Sequence, residues 1–180
     1  APNARLFLRS MNCHDIRSEL CNGTLDLGLF YEEAGGSGEN LASYPFGKYP
    51  LVLVAAPEVQ KACRDFITPE QTLPVPFIIN EAMCVFRLIF EDCLRKKIIL
   101  DHTIELWSIP TIKNLVKNEV GVSFLPKFTV QKELAAGELV EIPTDMQSPK
   151  ISVILAHHKN KWISPLMQCF IDLCCASVRA

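Results

Sequence analysis

Few residues in this sequence are spaced for chemistry. Cys13-His14 sets a thiol beside a base, but side chains adjacent in a chain rarely meet in the geometry that nucleophilic catalysis needs. His157-His158 invites a metal. Neighbours on a strand point to opposite faces, and no Cys or His stands at zinc spacing around the pair, so it reads as an exposed loop. Gly35-Gly36-Ser37-Gly38 lacks the spacing and the following helix of a phosphate-binding turn and reads as a plain loop. No G-x-S-x-G or H-E-x-x-H run is present. The sequence therefore names no catalytic residue, no metal ligand and no cofactor, and the expectation is a protein that is not an enzyme.

Composition narrows the field further. The chain has 180 residues, 49% hydrophobic and 21% charged, enough for a sizeable core in one domain or one two-lobed domain. Lys and Arg number 18 against 20 Asp and Glu, a net charge of −2, and the pI is near 6.1. A chain that grips DNA by itself should carry a basic face. The densest basic run, Arg95-Lys96-Lys97, ends a predicted helix, where cations complement the helix dipole. The 8 cysteines include several on apolar helix faces, so they are expected to be mostly reduced core residues of a cytoplasmic protein. No apolar run approaches the roughly 18 residues that span a membrane.

The elements that must position any site follow from hydrophobic periodicity. Arg5 to Met11 alternates like a strand. Asn12 is placed to cap a helix bearing Cys13, Ile16 and Leu20 on one stripe, stopped at Gly23. Leu25 to Tyr31 reads as a buried strand, residues 32–40 as a loop, and Leu41 to Phe46 and Pro50 to Ala56 as extended segments. Next come a strand over Pro76 to Asn80 and a helix over Cys84 to Lys97 with Phe86, Ile89, Phe90, Cys93 and Leu94 on its apolar stripe. A strand over Asp101 to Trp107 and a helix over Ile109 to Asn118 follow, with Pro110 in the first turn. The rest reads as a strand over Gly121 to Leu125, a helix over Lys127 to Ala136 ending at Gly137, and strands over Leu139 to Ile142 and Lys150 to Ala156. A final helix covers Ser164 to Val178, burying Leu166, Phe170, Leu173 and Cys174. Alternation of strand and helix means an α/β fold with largely parallel sheets. Two β-α-β groups separated near residue 50 suggest two lobes.

Three stretches carry a family resemblance. Ile16 to Leu29, with Gly23-Thr24-Leu25-Asp26-Leu27-Gly28-Leu29, resembles the "I…L…G-x-L-D-L-G-I" segment of LysR-type effector-binding domains. Thr111 to Val116 followed by Gly121-Val122-Ser123-Phe124-Leu125-Pro126 is similar to their "I-K-x-L-V…G-x-G-[IV]-x-x-L-P" segment, with Glu119 where a Gly is usual. Glu133 to Val140 resembles "E-L-x-x-G-x-L-V". Physical roles can be stated for these residues apart from the likeness. Gly23 ends a helix in a left-handed conformation, Gly121 turns the chain sharply from helix to strand, and Pro126 closes a strand because it cannot donate to a ladder. Asp26, in an apolar stretch, should lie at an edge or find a partner.

The resemblance implies a two-lobed periplasmic-binding-protein-like (type 2) α/β fold, each lobe a mostly parallel sheet flanked by helices. Lobe I would cover about 1–50 and 155–180, and lobe II about 51–154. It implies the regulatory domain of a bacterial transcription factor that senses a small organic or amino acid, acts as a homodimer or homotetramer, and meets DNA only through a winged helix-turn-helix absent here. The first strand and helix of the family's regulatory domain are also expected to be absent, because the opening residues look like its second strand. A solute-binding protein of a transport system shares the fold and is the alternative. In such folds ligands sit in a cleft between lobes at the carboxyl ends of strands. Those ends give Phe30 and Tyr31, Asn80 and Glu81, Trp107, Ser108 and Thr111, and Phe124 as effector-binding candidates. Ser108 also suits the N-cap of the next helix, Trp107 also suits a core, and Asn80 could cap a helix or face the ligand.

Overall fold

The computed structural model describes residues 5–33, 40–62, 71–93, 98–143 and 149–177. Cys63, Leu94 and the run Arg95 to Lys97 lie outside them, as does the loop Gly35 to Gly38. The chain divides into two compact units, Ala1–Lys48 with Ser152–Ala180, and Tyr49–Ile151.

The first unit begins with residues 5–10, which are exposed and form no strand. Alternation makes a strand only when a neighbour takes its N–H and C=O groups, and among the described strands none pairs with this segment. Arg9 instead binds Glu19 with two hydrogen bonds, at 2.7 and 3.0 Å. Helix α1 (Cys13–Cys21) starts where expected: Asn12 Oδ1 accepts the Asp15 N–H at 2.8 Å. It ends before Gly23, at φ 81°. Strand β1 (Gly28–Glu33) starts three residues later than the sequence suggests. The cause is local, because Asn22 Oδ1 accepts from both the N–H and the hydroxyl of Thr24 and holds a turn there. Asp26 lies exposed in this stretch and pairs with Lys161.

Strand β2 (Leu41–Ala55) merges two expected segments into one strand of 15 residues that carries the chain from the first unit into the second. Strand β9 (Lys150–His158) returns it. In the first unit the strand order is β1-β9-β2, and Leu20, Phe30, Leu41, Ile154 and Ala156 form the core with Cys13, Ile16 and Leu25 against it. The histidine pair is not an exposed loop. His157 lies on β9 only 6% exposed, bonded through Nδ1 to the carbonyl of His158 at 2.9 Å and through Nε2 to the Tyr44 hydroxyl at 3.2 Å.

The last helix, α6 (Pro165–Ser177), turns a different stripe inward than expected. Ile171 is its fully buried residue and Met167 and Cys174 are half-buried, whereas Leu166, Phe170 and Leu173 are exposed. The helix is apolar nearly all round, so periodicity alone cannot choose among competing stripes. The cysteines also differ from expectation. Cys84 is buried, but Cys21 and Cys169 are exposed and Cys13, Cys174 and Cys175 half-buried; none of these is joined in a disulfide.

In the second unit β2 pairs antiparallel with β7 (Val122–Pro126) and with β8 (Val140–Ile142). Strand β4 (Phe77–Ile79) pairs parallel with both β7 and β6 (Thr103–Glu105). The sheet is thus mixed rather than mostly parallel, because β2 enters against the direction of the β-α-β strands. Three helices were expected here and are found: α3 (Val85–Cys93), α4 (Ile109–Lys117) and α5 (Lys127–Ala136). A short α2 (Pro57–Ala62) and a parallel pair of two-residue strands, β3 (Gln71–Thr72) and β5 (Ile98–Ile99), were not.

The pleat sends alternate residues to opposite layers. Val52, Val54, Ile78 and Leu125 pack with Ile112 and Val116 of α4 and Val130 of α5. On the other face Phe77 stacks on Phe90 of α3 at 4.0 Å between centroids, and Phe90 meets Phe124 at 5.8 Å. Gly121 is required for a reason other than a turn. A Cβ there would lie 2.1 Å from the carbonyl oxygen of Pro76, which accepts the Val122 N–H at 3.1 Å. The left-handed residue at the end of α4 is Glu119, at φ 63°.

Candidate functional site

Parallel strands with helices after them leave polar groups at their carboxyl ends, and in the second unit β4 and β6 do so side by side. Ile79 is in register with Glu105, and Leu106 donates its N–H to the Ile79 carbonyl at 2.9 Å. The next residue on β4's side is Asn80, and the chain after Leu106 passes Trp107 to Ser108. Ser108 caps α4, its Oγ accepting the Thr111 N–H at 3.4 Å. Ile78, two residues before Asn80, packs against α4. Asn80 is 4% exposed and Trp107 72% exposed. Thr111 is exposed in the first turn of α4 and Glu81 half-buried beyond Asn80.

The other candidates fall elsewhere. Phe124 leaves the sheet on the opposite face and fills the aromatic core against Phe90. Phe30 is buried in the core of the first unit, with the Arg17 guanidinium 5.5 Å from its ring centre, and Tyr31 is half-buried beside it on β1. Asn80, Glu81, Trp107, Ser108 and Thr111 are therefore the group brought together by adjacent strand ends.

One residue at these ends escaped the sequence reading. Arg87, in the first turn of α3, donates to the carbonyl of Asn80 at 3.1 Å, to Glu91 Oε1 at 3.1 Å and to Glu105. Burial works against its charge, but the hydrogen bonds to Glu105 and Glu91 and their negative charges outweigh that and raise its pKa above the ordinary arginine value. The guanidinium thus ties the end of β4 to the end of β6. The visible signal was the Arg87–Glu91 spacing of four, which pairs on a helix; the third partner comes from a distant strand.

A second ion pair links α4 to α5. Lys113 of α4 reaches Glu133 of α5 at 2.6 Å and the Thr129 carbonyl at 2.9 Å. The hydrogen bond from Lys113 holds the Glu133 carboxyl below its ordinary pKa, against the opposing effect of burial. Cys13 and His14 form no dyad surface: Cys13 packs on the first unit's core and His14 is exposed. Among the described residues no three His, Cys, Asp or Glu side chains gather as a metal would require, and no helix is long and apolar enough to cross a membrane.

The match to known proteins is direct. The model of the LysR substrate binding domain fits residues 1–178. The chain belongs to this family. It is 46% identical over 173 residues to the HTH-type transcriptional regulator YfiE of Escherichia coli K12, a match covering 96% of this chain and 58% of YfiE. It therefore spans little more than half the length of that relative. Its fold is that of the regulatory domain of CcmR from Synechocystis PCC6803, solved in complex with 2-PG, with a TM-score of 0.74 at 23% identity over 99% of this chain and 85% of that one. The regulatory domain of HypT from Salmonella typhimurium gives a TM-score of 0.76 at 15% identity, covering 95% and 81%. This LysR-family domain has the α/β architecture of the type 2 periplasmic-binding-protein class.

Proposed function

We propose that this domain is the sensor of a bacterial LysR-type transcription factor and that a small organic or amino acid binds at the strand ends around Asn80, Trp107, Ser108 and Thr111, with Glu81 beside them. The observation that carries this reading is the convergence of Asn80 and the Ser108-capped start of α4 on two adjacent strand ends, in a chain whose family match runs from residue 1 to 178. The complex of the CcmR regulatory domain with 2-PG supports a small-molecule effector. The effector favours one of two conformations of the regulator by binding it more tightly, and can shift the balance only by that difference in affinity. DNA is read by an HTH part outside these residues, as the names of the relatives support, and the regulator works in the cytoplasm as a homodimer or homotetramer. HTH-type relatives favour this reading over a solute-binding protein of a transport system.

The test is a thermal-shift screen against amino acids, small organic acids and aromatic acids. A specific ligand stabilises the fold by mass action. A compound that raises the melting temperature of the wild type and not of Asn80→Leu supports the site. Stabilisation that survives Asn80→Leu and Ser108→Ala alike moves the effector elsewhere.

A further inference from the structure

Resting on that reading of the site, we infer that Arg87 is its positioning residue. One guanidinium sets where the chain leaves β4 at Asn80 and where it leaves β6 at Glu105, and so holds the Trp107–Ser108 segment in place without itself being an effector contact.

Strand β6 needs such a hold. It has 3 residues and ends the strand order, so among the described strands β4 is its neighbour and its outer side has none. Two backbone bonds frame the pair, Phe77 N–H to the His102 carbonyl and Leu106 N–H to the Ile79 carbonyl, each 2.9 Å. Ile104 and Leu106 pack against the cluster shared with α4 and α5. Glu105, between them, has a side chain 49% exposed and bonded to Arg87 of α3. A short edge strand with few ladder bonds opens locally at small cost. A charge-assisted bond from a neighbouring helix is strong enough to set how often it does so.

Arg87 grips the other strand end with the same nitrogen. Its Nη1 donates to the Asn80 main-chain carbonyl at 3.1 Å as well as to Glu105. The Ile79 carbonyl, one residue earlier, is taken by Leu106. Asn80 is 4% exposed, where a main-chain carbonyl without a donor is costly. The same bond closes the connection from β4 to α3, within which the Cys84 N–H meets the Glu81 carbonyl at 2.9 Å. Arg87 Nε donates to Glu91 Oε1 at 3.1 Å, which holds the guanidinium to its own helix. A lysine would bring one nitrogen to three acceptors that the guanidinium meets with two.

The consequence reaches the candidate site through a short piece of chain. Leu106 and Trp107 alone join Glu105 to Ser108, which caps α4. A displacement of Glu105 therefore passes to Trp107 with little chain to absorb it.

The experiment uses the 180-residue protein carrying Trp162→Phe, which leaves Trp107 as the fluorescent reporter. No effector is added. The readouts are the fluorescence anisotropy of Trp107 and the hydrogen exchange of the Leu106 amide. Arg87→Met keeps an unbranched side chain and removes the donors. It is expected to lower the anisotropy and to speed the exchange about tenfold or more, because a hydrogen bond to a charged group is worth at least about that factor. Glu105→Gln should move both readouts in the same direction by less. Added to Arg87→Met it should do less than it does alone, since the two changes break one contact. Arg87→Lys should restore part of the wild-type signal. Lys113→Met breaks an ion pair between α4 and α5 and should lower stability while leaving the Trp107 anisotropy unchanged.

Wild-type anisotropy and exchange in Arg87→Met overturn the assignment. So does an equal fall in anisotropy in Lys113→Met, or full additivity of the Arg87 and Glu105 changes. Should Arg87→Met fail to fold, Glu105→Gln decides, and wild-type signals there overturn the assignment as well. These readouts need no ligand, so the two readings fail separately. Thermal stabilisation that survives Asn80→Leu and Ser108→Ala sinks the effector site and leaves Arg87 as the hold on the β6 end. A failure of the Arg87 signals leaves the effector site standing.

Discussion

The two units differ in how completely their own chain buries their apolar residues. In the second, helices cover the sheet on both faces: α4 and α5 against Val52, Ile78 and Leu125, α3 against Phe77 and Phe124. In the first, Leu6, Phe7 and Leu8 lie exposed, as do Leu29 on β1 and Leu166, Phe170 and Leu173 on α6. Hydrophobic burial scales with area removed from water, so these exposed side chains add little to stability, as do Leu88 and Trp107 in the second unit. Amphipathic pattern is a statement about a partner as much as about an element. Where the partner is local, pattern and structure agree; where it is not, the pattern is present without the structure.

The strongest way to break this contrast is at a glycine. Gly121→Ala would drive a methyl into the Pro76 carbonyl, 2.1 Å away, and is expected to cost about 3 kcal/mol or more. Gly23→Ala has open space and only a left-handed φ of 81° to oppose it, a cost of about 1 kcal/mol. Urea unfolding followed by peptide-resolved hydrogen exchange should show the first loss in the β4 and β7 peptides. A loss at Gly121→Ala as small as that at Gly23→Ala would mean that the β4–β7 junction yields.

Truncation of side chains gives the next effect. Phe90→Ala removes a ring packed between Phe77 and Phe124 and should destabilise by about 3–5 kcal/mol. Leu173→Ala, at a residue 66% exposed, should stay within about 0.5 kcal/mol. A large loss at Leu173 in the purified protein would show that α6 is covered in solution.

The ion pair between α4 and α5 sharpens the comparison through pH. Because the folded pKa of Glu133 is below its ordinary value, the group adds stability above the ordinary carboxylate range, and that stability is lost as pH falls through the lowered folded value. Lys113→Met should therefore destabilise at neutral pH by about 1–3 kcal/mol, leaving Glu133 half-desolvated, and flatten the acid limb of the stability curve. An unchanged acid limb in chemical denaturation at stepped pH would remove Lys113 as the cause.

The smallest effect concerns helix ends. Both α4 and α5 close with paired backbone bonds: Val120 to Leu115 and Glu119 to Val116 at 3.1 Å each, and Glu138 to Glu133 at 3.0 Å with Gly137 to Leu134 at 3.2 Å. The left-handed position is Glu119 in one and Gly137 in the other, at φ 63° and 71°. Glu119→Gly should stabilise the second unit by about 1 kcal/mol and Gly137→Ala should destabilise it by a similar amount. Melting curves in which both changes destabilise would show that Glu119 does more than occupy the turn.

These ends also show what the sequence made legible. Asn12, Ser108 and Gly137 act on groups within four residues, and the boundaries they set were readable. Gly121 was marked by its motif, but the Pro76 carbonyl that forbids a side chain there comes from another strand. The break before β1 was hidden in the Asn22–Thr24 turn, and the stripe on α6 had too many apolar rivals. His157 read as loop because β9 runs two residues longer than its apolar run. At the candidate site, the places of Asn80, Trp107 and Ser108 at strand ends were readable because strand ends are a rule of topology; Arg87 was not, because its partner Glu105 belongs to another strand.

Glu119 has a consequence for how this sequence can drift. The codons for glutamate and glycine differ at a single base, so relief of the left-handed strain at φ 63° is one mutational step away. A lineage that takes that step gains a margin of stability from one position on an exposed helix end. That margin would let it tolerate a later, costly substitution elsewhere in the second unit.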